Sequence, residues 1–363
     1  MYPLALEKLR PHAVPVQPEV ENSSYLAARR VTISVDAFQT EQVQETPADE
    51  AVERLVDRGP DMFLDPAEEK EGRNRALADS VRQAEQQGLS AEGAFRLRDI
   101  LARRVDSFRR ALCGDPPANV ETMRLTLKPQ AKAVKAKPRR YDPVKTGWIA
   151  TCITALLAFG LVFKNIQAVW ASPAMAVPKR DTFRLVSDYQ AVNAQIEQFP
   201  GGMPSQEDMK ELLGANCFGK LDLLQGYWQM PLAPDAQEVF TIAAPEGLFT
   251  PTRVPQGVLN ATSYFQGVMT DLLHGLDCKV WVDDVFYFAD SEEALLTLLD
   301  EILGRLESVG LFVAAHKCTF FSREIVWCGK VYSHGTVSHD PVRIQGLSTV
   351  SYTHLTLPTT PYV

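Results

Sequence analysis

Across residues 291–309 the apolar positions Leu295, Leu298, Leu299, Ile302, Leu303, Leu306 and Val309 recur at the spacing of one helical face. Ser291 stands at the N-cap, Glu292 and Glu293 occupy the first turn, where the helix dipole favours acid, and Gly310 closes the pattern. This predicts a core helix. Just upstream, two β-prone runs, Val280-Trp281-Val282 and Val285-Phe286-Tyr287-Phe288, are split by Asp283-Asp284, which predicts a tight hairpin with both acids at its tip. Residues 218–224 form another apolar run that ends at Gly226, with Asp222 near its C-terminal end. Residues 77–112 are Arg-rich and Pro-free, with Leu97, Ile100, Leu101 and Val105 at helical spacing, and predict one or two helices.

These patterns divide the chain. Residues 1–76 are acidic and Pro-rich with brief alternation at Val31, Ile33 and Val35, and are expected to be a mostly disordered linker. A helical segment over 77–115 follows, then a linker over 116–140 that Pro116 and Pro117 open. From residue 141 to 347 short strands and helices alternate with turn punctuation, the signature of an α+β domain. Within it, the apolar run 148–163 is shorter than the ~20 residues a bilayer demands. It also carries Thr151 and Thr154, and Gly160 sits where a helix would end, so a buried helix is expected and no membrane partner.

The composition, 363 residues at 45% hydrophobic, supports one sizeable core with room for a smaller unit. A formal net charge of −8 argues against a general nucleic-acid binder, yet Lys128, Lys132, Lys135, Lys137, Arg139, Arg140 and Lys145 form a basic run broken only by Asp142. Two readings of that run stand: a solvated linker, or a phosphate contact. The six cysteines are scattered without a CxxC pair and read as reduced, intracellular thiols. His316, Cys318, Cys328 and His334 fit no common zinc spacing.

Adjacent carboxylates flanked by apolar strands repel one another unless a cation compensates. A divalent ion does so, and Asp222 on a second strand end could complete a site for two Mg²⁺. The surrounding words resemble the reverse transcriptases of gypsy-type LTR retrotransposons over residues 141–347. Ala171-Ser172-Pro173 leading to Val177-Pro178-Lys179-Arg180-Asp181 is similar to the family's entry into the fingers, and Phe183-Arg184-Leu185-Val186-Ser187-Asp188-Tyr189 to its next block. Leu221-Asp222-Leu223-Leu224-Gln225-Gly226-Tyr227-Trp228-Gln229 resembles the first palm motif, and Val254-Pro255-Gln256-Gly257 through Asn260 to Gln266 resembles a loop entering a helix, with Asn260 as its N-cap. Trp281-Val282-Asp283-Asp284, then Gly310-Leu311 with His316-Lys317-Cys318, then Trp327-Cys328-Gly329-Lys330 resemble the remaining palm motifs in order.

The resemblance implies an α+β, right-hand polymerase fingers and palm, an antiparallel palm sheet backed by helices with the thumb largely missing, preceded by a partly disordered N-terminal region. It implies RNA-directed DNA synthesis from dNTPs on an RNA template and DNA primer, with two Mg²⁺, or Mn²⁺ as a substitute, on Asp222, Asp283 and Asp284. Lys317 would protonate the leaving pyrophosphate. Lys179 (or equally Arg180) and Arg184 would meet the triphosphate, with Gln225, Gly226, Tyr227 and Gln256 on the nucleotide side and Tyr227 excluding a 2′ hydroxyl. Gln266 would contact the template, and Trp327, Cys328, Gly329 and Lys330 would grip the primer. The alternative is a truncated, inactive remnant that at most binds nucleic acid.

Gln190, Thr262 and Cys328 depart from the family's Arg, Pro and aliphatic at those positions. A complete Pol polyprotein would add protease, RNase H and integrase, and the family implies a cytoplasmic virus-like particle with a later nuclear stage. The tail from Val350 to Thr359 is what translation of GTCTCTTATACACATCTGACGCTGCCGACG yields, which looks like a sequencing-library adapter. Residues 348–363 are therefore expected to lie outside the evolved fold.

Overall fold

A computed structural model describes residues 66–179, 182–200 and 214–341. The disordered-linker reading of residues 1–65, Arg180 as an alternative to Lys179, and the adapter-like tail lie outside the described residues.

Helix α1 (Pro66–Gln86) starts well before residue 77, inside the stretch expected to be linker. Its first turns are held by polar contacts that hydrophobic periodicity does not register: Arg75 pairs with Glu71 at i,i+4, buried Glu69 accepts the N–H of Arg110 at 3.1 Å, and Arg73 donates to the carbonyl of Phe108 at 3.4 Å. Helix α2 (Ala91–Arg103) is capped by Ser90, whose hydroxyl accepts from Gly93 N at 3.0 Å. The helical segment ends there, short of residue 115; a single 3-10 turn leads to β1 (Phe108–Arg109), where Phe108 is fully buried.

Helix α3 (Pro143–Ala158) is the apolar run 148–158. Asp142 caps it, Pro143 opens it, and the chain turns at Gly160 with φ 66°. No helix among the described residues is long and apolar enough to cross a membrane. Its buried Trp148, Ile149, Cys152, Ile153 and Leu156 pack on a five-stranded sheet ordered β2-β7-β6-β3-β4. That sheet comprises β2 (Val162–Lys164), β3 (Ser172–Lys179), β4 (Thr182–Ser187), β6 (Ile242–Ala244) and β7 (Gly247–Pro251). The short helix α4 (Gln190–Asn193) follows β4.

A second, wholly antiparallel sheet is ordered β11-β5-β9-β8, from β5 (Cys217–Asp222), β8 (Cys278–Trp281), β9 (Asp284–Ala289) and β11 (Thr319–Ser322). The short helices α5 (Gly226–Gln229) and α6 (Pro234–Gln237) lead from β5 back to the first sheet. Alternation along the strands sorts the second sheet's two faces. Cys217, Leu221, Val285 and Tyr287 enter the large core with α7 (Ala261–Leu272) and α8 (Glu292–Ser308), and the same core takes in Leu77, Val81, Leu97 and Ile100 of the N-terminal helices. Phe218, Phe286 and Phe288 form a separate cluster under β12 (Glu324–Trp327) and β13 (Lys330–Ser333), which form a three-stranded sheet with β14 (Thr336–His339). Gly219 makes this layering possible: a Cβ there would lie 2.1 Å from Cζ of the buried Tyr287.

Helix α8 begins at its Ser291 cap and ends before Gly310, φ 72°, as its pattern predicts. Leu296 is buried while Leu298 is only half-buried, because α2 covers a second side of the helix. Arginines at the end of α2 reinforce that contact: Arg103 and the following Arg104 reach Asp300 at 3.2 and 2.9 Å, and Arg104 also pairs with Glu307. A two-residue β10 (Val313–Ala314) runs parallel to β1.

Residues 116–140, expected to be a linker, are stitched along the domain. Ala118 N donates to Gln229 O at 2.8 Å, Met123 N to Pro231 O at 3.0 Å, Lys128 N to Gln195 O at 2.8 Å, and Ala136 N to Ala171 O at 3.0 Å. Isolated backbone bridges of this kind carry no side-chain period, so sequence pattern does not reveal them.

Candidate active site

The β5–β9 register sets Asp222 directly opposite Asp284. Trp281 pairs with Asp284 across the next hairpin, leaving Val282 and Asp283 as its two-residue turn. Leu223 N donates to Asp283 O at 2.8 Å, tying that turn to the end of β5. All three acids thus gather at one end of the sheet, and Asp222 and Asp284 continue the row of Phe218 and Phe286 on the face that carries no helix. Val282 has φ 55°, a strained conformation for a β-branched residue.

The three carboxylates crowd one another. Burial pushes Asp284 up to about 6, and the charges of Asp283 and Asp222 add to the effect against Lys220 and Lys317. The Asp283 side chain is exposed at the tip, but the protein around its carboxyl, and then the Asp222 charge, still lift it above the ordinary carboxylate range. Lys317 Nζ lies 2.9 Å from Asp222 Oδ1. A divalent ion takes hard carboxylate oxygens and would offset the repulsion that keeps these acids from ionising. Among the described residues no three such groups surround a single point, so ion capture would have to draw Asp222 away from Lys317.

Toward the first sheet, Lys179 and Arg184 are exposed on the β3–β4 hairpin, where Lys179 pairs with Thr182 and Val177 with Arg184. The alternation of strands sets both cations on one face, and the charge of Arg184 is felt at Asp283. Gln225 adopts φ 43° at the start of α5, and Gly226 lies so close to Phe265 that a Cβ would fall 2.6 Å from Cζ of its ring. Tyr227 stacks edge-on to Phe265 at 5.6 Å and its hydroxyl bonds the Thr262 hydroxyl at 3.0 Å. Gln256 is half-buried in the loop before α7. Asn193 holds that loop, donating to Gly257 O and accepting Leu259 N, both at 2.9 Å.

Three assignments change. Gln266, expected at the template, is 4% exposed and its amide is committed to the backbone at Val280 and Val282. Trp327, expected at the primer, is buried and stacked on Phe286 at 4.9 Å, leaving Cys328 (φ 48°) and Gly329 (φ 76°) as the turn between β12 and β13, with half-buried Lys330 beyond. Asn260 sits at the N-cap of α7 without capping it; its side chain accepts Phe199 N at 2.9 Å and donates to Glu197 O at 2.8 Å.

Lys220, two residues before Asp222 and so on its face of β5, joins the site without belonging to any motif, and only the period-2 pattern signals it. Gln229, a member of the first palm-like motif, has a structural part. That side chain holds Leu224 O at 2.6 Å and both polar groups of Phe312, at 3.0 Å to the carbonyl and 2.7 Å from the N–H, and so fixes the chain that leaves β5.

Fold and site resemble those of a nucleic-acid polymerase. Residues 177–343 match the family model of the reverse transcriptase (RNA-dependent DNA polymerase). The chain is 29% identical over 232 residues to the enzymatic polyprotein of Figwort mosaic virus (strain DxS), covering 61% of this chain and 35% of that one. It is 30% identical over 171 residues to the retrovirus-related Pol polyprotein from transposon 412 of Drosophila melanogaster, 44% of this chain and 14% of that one. The foamy viral protease-reverse transcriptase in complex with RNA/DNA hybrid superposes with a TM-score of 0.65 at 18% identity, covering 86% of this chain and 39% of that one, and shares the fold. The chain spans about a third or less of these polyproteins' length.

Proposed function

We propose that residues 141–347 are the fingers and palm of the reverse transcriptase of a gypsy-type LTR retrotransposon, transferring a nucleotidyl group from dNTP to a primer 3′ hydroxyl on an RNA template. The observation that carries this is the register of Asp222 against Asp284 with Asp283 at the adjoining hairpin tip. The solved relatives named for RNA/DNA hybrid and double-stranded DNA support the choice of template and primer.

Divalent ions bound by Asp222, Asp283 and Asp284, Mg²⁺ or Mn²⁺, would activate the 3′ hydroxyl and neutralise the leaving pyrophosphate. The protein's own groups do the rest. Arg184 and Lys179 meet the triphosphate oxygens as charge builds on them. Tyr227 lies under the sugar, and Gln225, Gly226 and Gln256 shape the nucleotide pocket. Lys317, once released by Asp222, would hand a proton to the pyrophosphate. The Cys328-Gly329 turn and Lys330 meet the primer backbone, held up by the buried Trp327. The complete polyprotein would supply protease, RNase H and integrase and would act in a cytoplasmic particle before a nuclear stage.

Primer extension tests the reading. The purified chain, given a DNA primer on an RNA template, dNTPs and Mg²⁺ or Mn²⁺, should add at least one nucleotide. Binding of the hybrid without addition under either ion would favour the inactive remnant instead.

A further inference from the structure

Seven cations, Arg124, Lys128, Lys132, Lys135, Lys137, Arg139 and Arg140, lie between Glu121 and Asp142 with no carboxylate among them, in a chain whose net charge is −8. All seven are exposed, while Ala131, Ala133, Val134 and Ala136 between them are half-buried against the domain. The segment carrying them is fixed along its length. Leu127 bridges Ile196, Lys132 N donates to Gln195 Oε1 at 3.0 Å, Lys135 bridges Ala171, and Ala171 N returns to Val134 O at 2.7 Å. Among the described residues, only Arg139 of the seven has a carboxylate within ion-pair reach, that of Asp188.

We infer that residues 124–140 form a phosphate track for the single-stranded RNA template ahead of the active site, an inference that rests on the polymerase reading above. Surface charges that merely solubilise need neither one sign nor a fixed line; a polyanion needs both. An extended chain advances ~3.3 Å per residue, so cations one to four residues apart make a row that suits an extended strand rather than a single small anion.

The row also leads to the right place. At Ile196 it abuts the segment through Phe199 that Asn260 holds beside the Gln256 loop, and at Ala171 it adjoins β3, which ends at Lys179. Arg139 pairs with Asp188, just past the end of β4, the strand that carries Arg184. No aromatic side chain lies within residues 124–140, so the contact is to phosphates, tolerant of sequence and strongly dependent on salt.

Binding without turnover separates this from the polymerase reading. In EDTA, the full chain is titrated by fluorescence anisotropy into a blunt RNA/DNA hybrid and into the same hybrid with a 5′ RNA overhang. The overhang should tighten binding, and the Lys132→Gln, Lys135→Gln, Lys137→Gln triple variant should lose that gain. The slope of log K against log salt on the overhang substrate should fall by about 0.7 per lost cation, about 2 in all. Blunt-hybrid affinity should be unchanged, as should overhang binding by a Lys70→Gln, Arg75→Gln, Arg82→Gln control on α1. Equal loss on both substrates, an unchanged slope, or no effect of the overhang on the native chain would overturn the track while leaving primer extension to judge the polymerase.

Discussion

Gln266 holds the turn that presents Asp283: its side-chain oxygen accepts the N–H of Val282 at 2.8 Å while its amide donates to Val280 O at 3.1 Å. One buried residue of α7 thus fixes both sides of a turn whose first residue is held at φ 55°. Such a conformation costs roughly 1–3 kcal/mol and persists only where the surroundings impose it. Gln266→Leu should lower stability by about 1–3 kcal/mol through the unpaired turn N–H and carbonyl. It should cut nucleotide addition more than hybrid binding, as urea unfolding beside addition and anisotropy assays would show. Equal effects on addition and binding would argue for a direct template contact instead.

The acids make the metal-free protein sensitive to pH. Asp284 keeps its proton to about 6 in the folded state against an ordinary 3.8, so between those values the folded protein binds more protons than the unfolded one. Stability gained by protonation is therefore present at low pH and is lost as pH rises through about 6. Asp284→Asn should flatten that part of the profile and stabilise the protein at pH 7 by roughly 1–2 kcal/mol, allowing for solvent screening. Urea unfolding in EDTA across the acid range checks this; a native profile that rises over the same window contradicts it.

Thr262 occupies the family's Pro position, and its hydroxyl meets that of Tyr227 at 3.0 Å. The bond occupies a phenol that could otherwise pair with a ribose 2′ hydroxyl, and under the proposed function it would steady the ring beneath the sugar. Thr262→Val should lower the preference for dNTP over the matching ribonucleotide by about threefold to tenfold, the worth of one hydrogen bond. Thr262→Ser should keep it. Single-nucleotide incorporation at varied dNTP and rNTP gives the ratio, and an unchanged ratio in the Val variant removes Thr262 from the gate.

Aromatic rings leave no room for a side chain at Gly219 and Gly226. An added Cβ at Gly226 meets the Phe265 ring at 2.6 Å, and at Gly219 the Tyr287 ring at 2.1 Å. Tyr287 is also tethered, its hydroxyl donating to Phe320 O at 2.9 Å, so it has less freedom to yield. Overpacking of this kind costs about 1–3 kcal/mol. Gly219→Ala should cost more than Gly226→Ala in thermal unfolding; the reverse order would mean that the Tyr287 layer is softer than its contacts imply.

Much of this was legible in the sequence where one local rule governed. The α8 face and its Ser291 cap, the 278–289 hairpin and the buried α3 follow from period, cap and length. The opposition of Asp222 and Asp284 was reachable only through the ordered family motifs, because strand register is a long-range property. What stayed hidden was held by polar or backbone contacts. The start of α1 rests on Glu69 and Arg73, and the 116–140 segment on isolated backbone bridges. Gln266 and Trp327 carry the motif's residue types but turn inward, and no pattern of spacing distinguishes a polar or aromatic side chain that touches nucleic acid from one that props the turn beside it.

We propose that Asp222, Asp283 and Asp284 are the catalytic centre of an RNA-templated DNA polymerase. This is tested most directly by comparing the native chain with Asp283→Asn in single-nucleotide addition to a DNA primer on RNA with dNTP and Mg²⁺, with circular dichroism confirming equal folding. The native chain should add a nucleotide and Asp283→Asn none above background, with hybrid binding retained by both. Undiminished addition by Asp283→Asn would contradict the proposal.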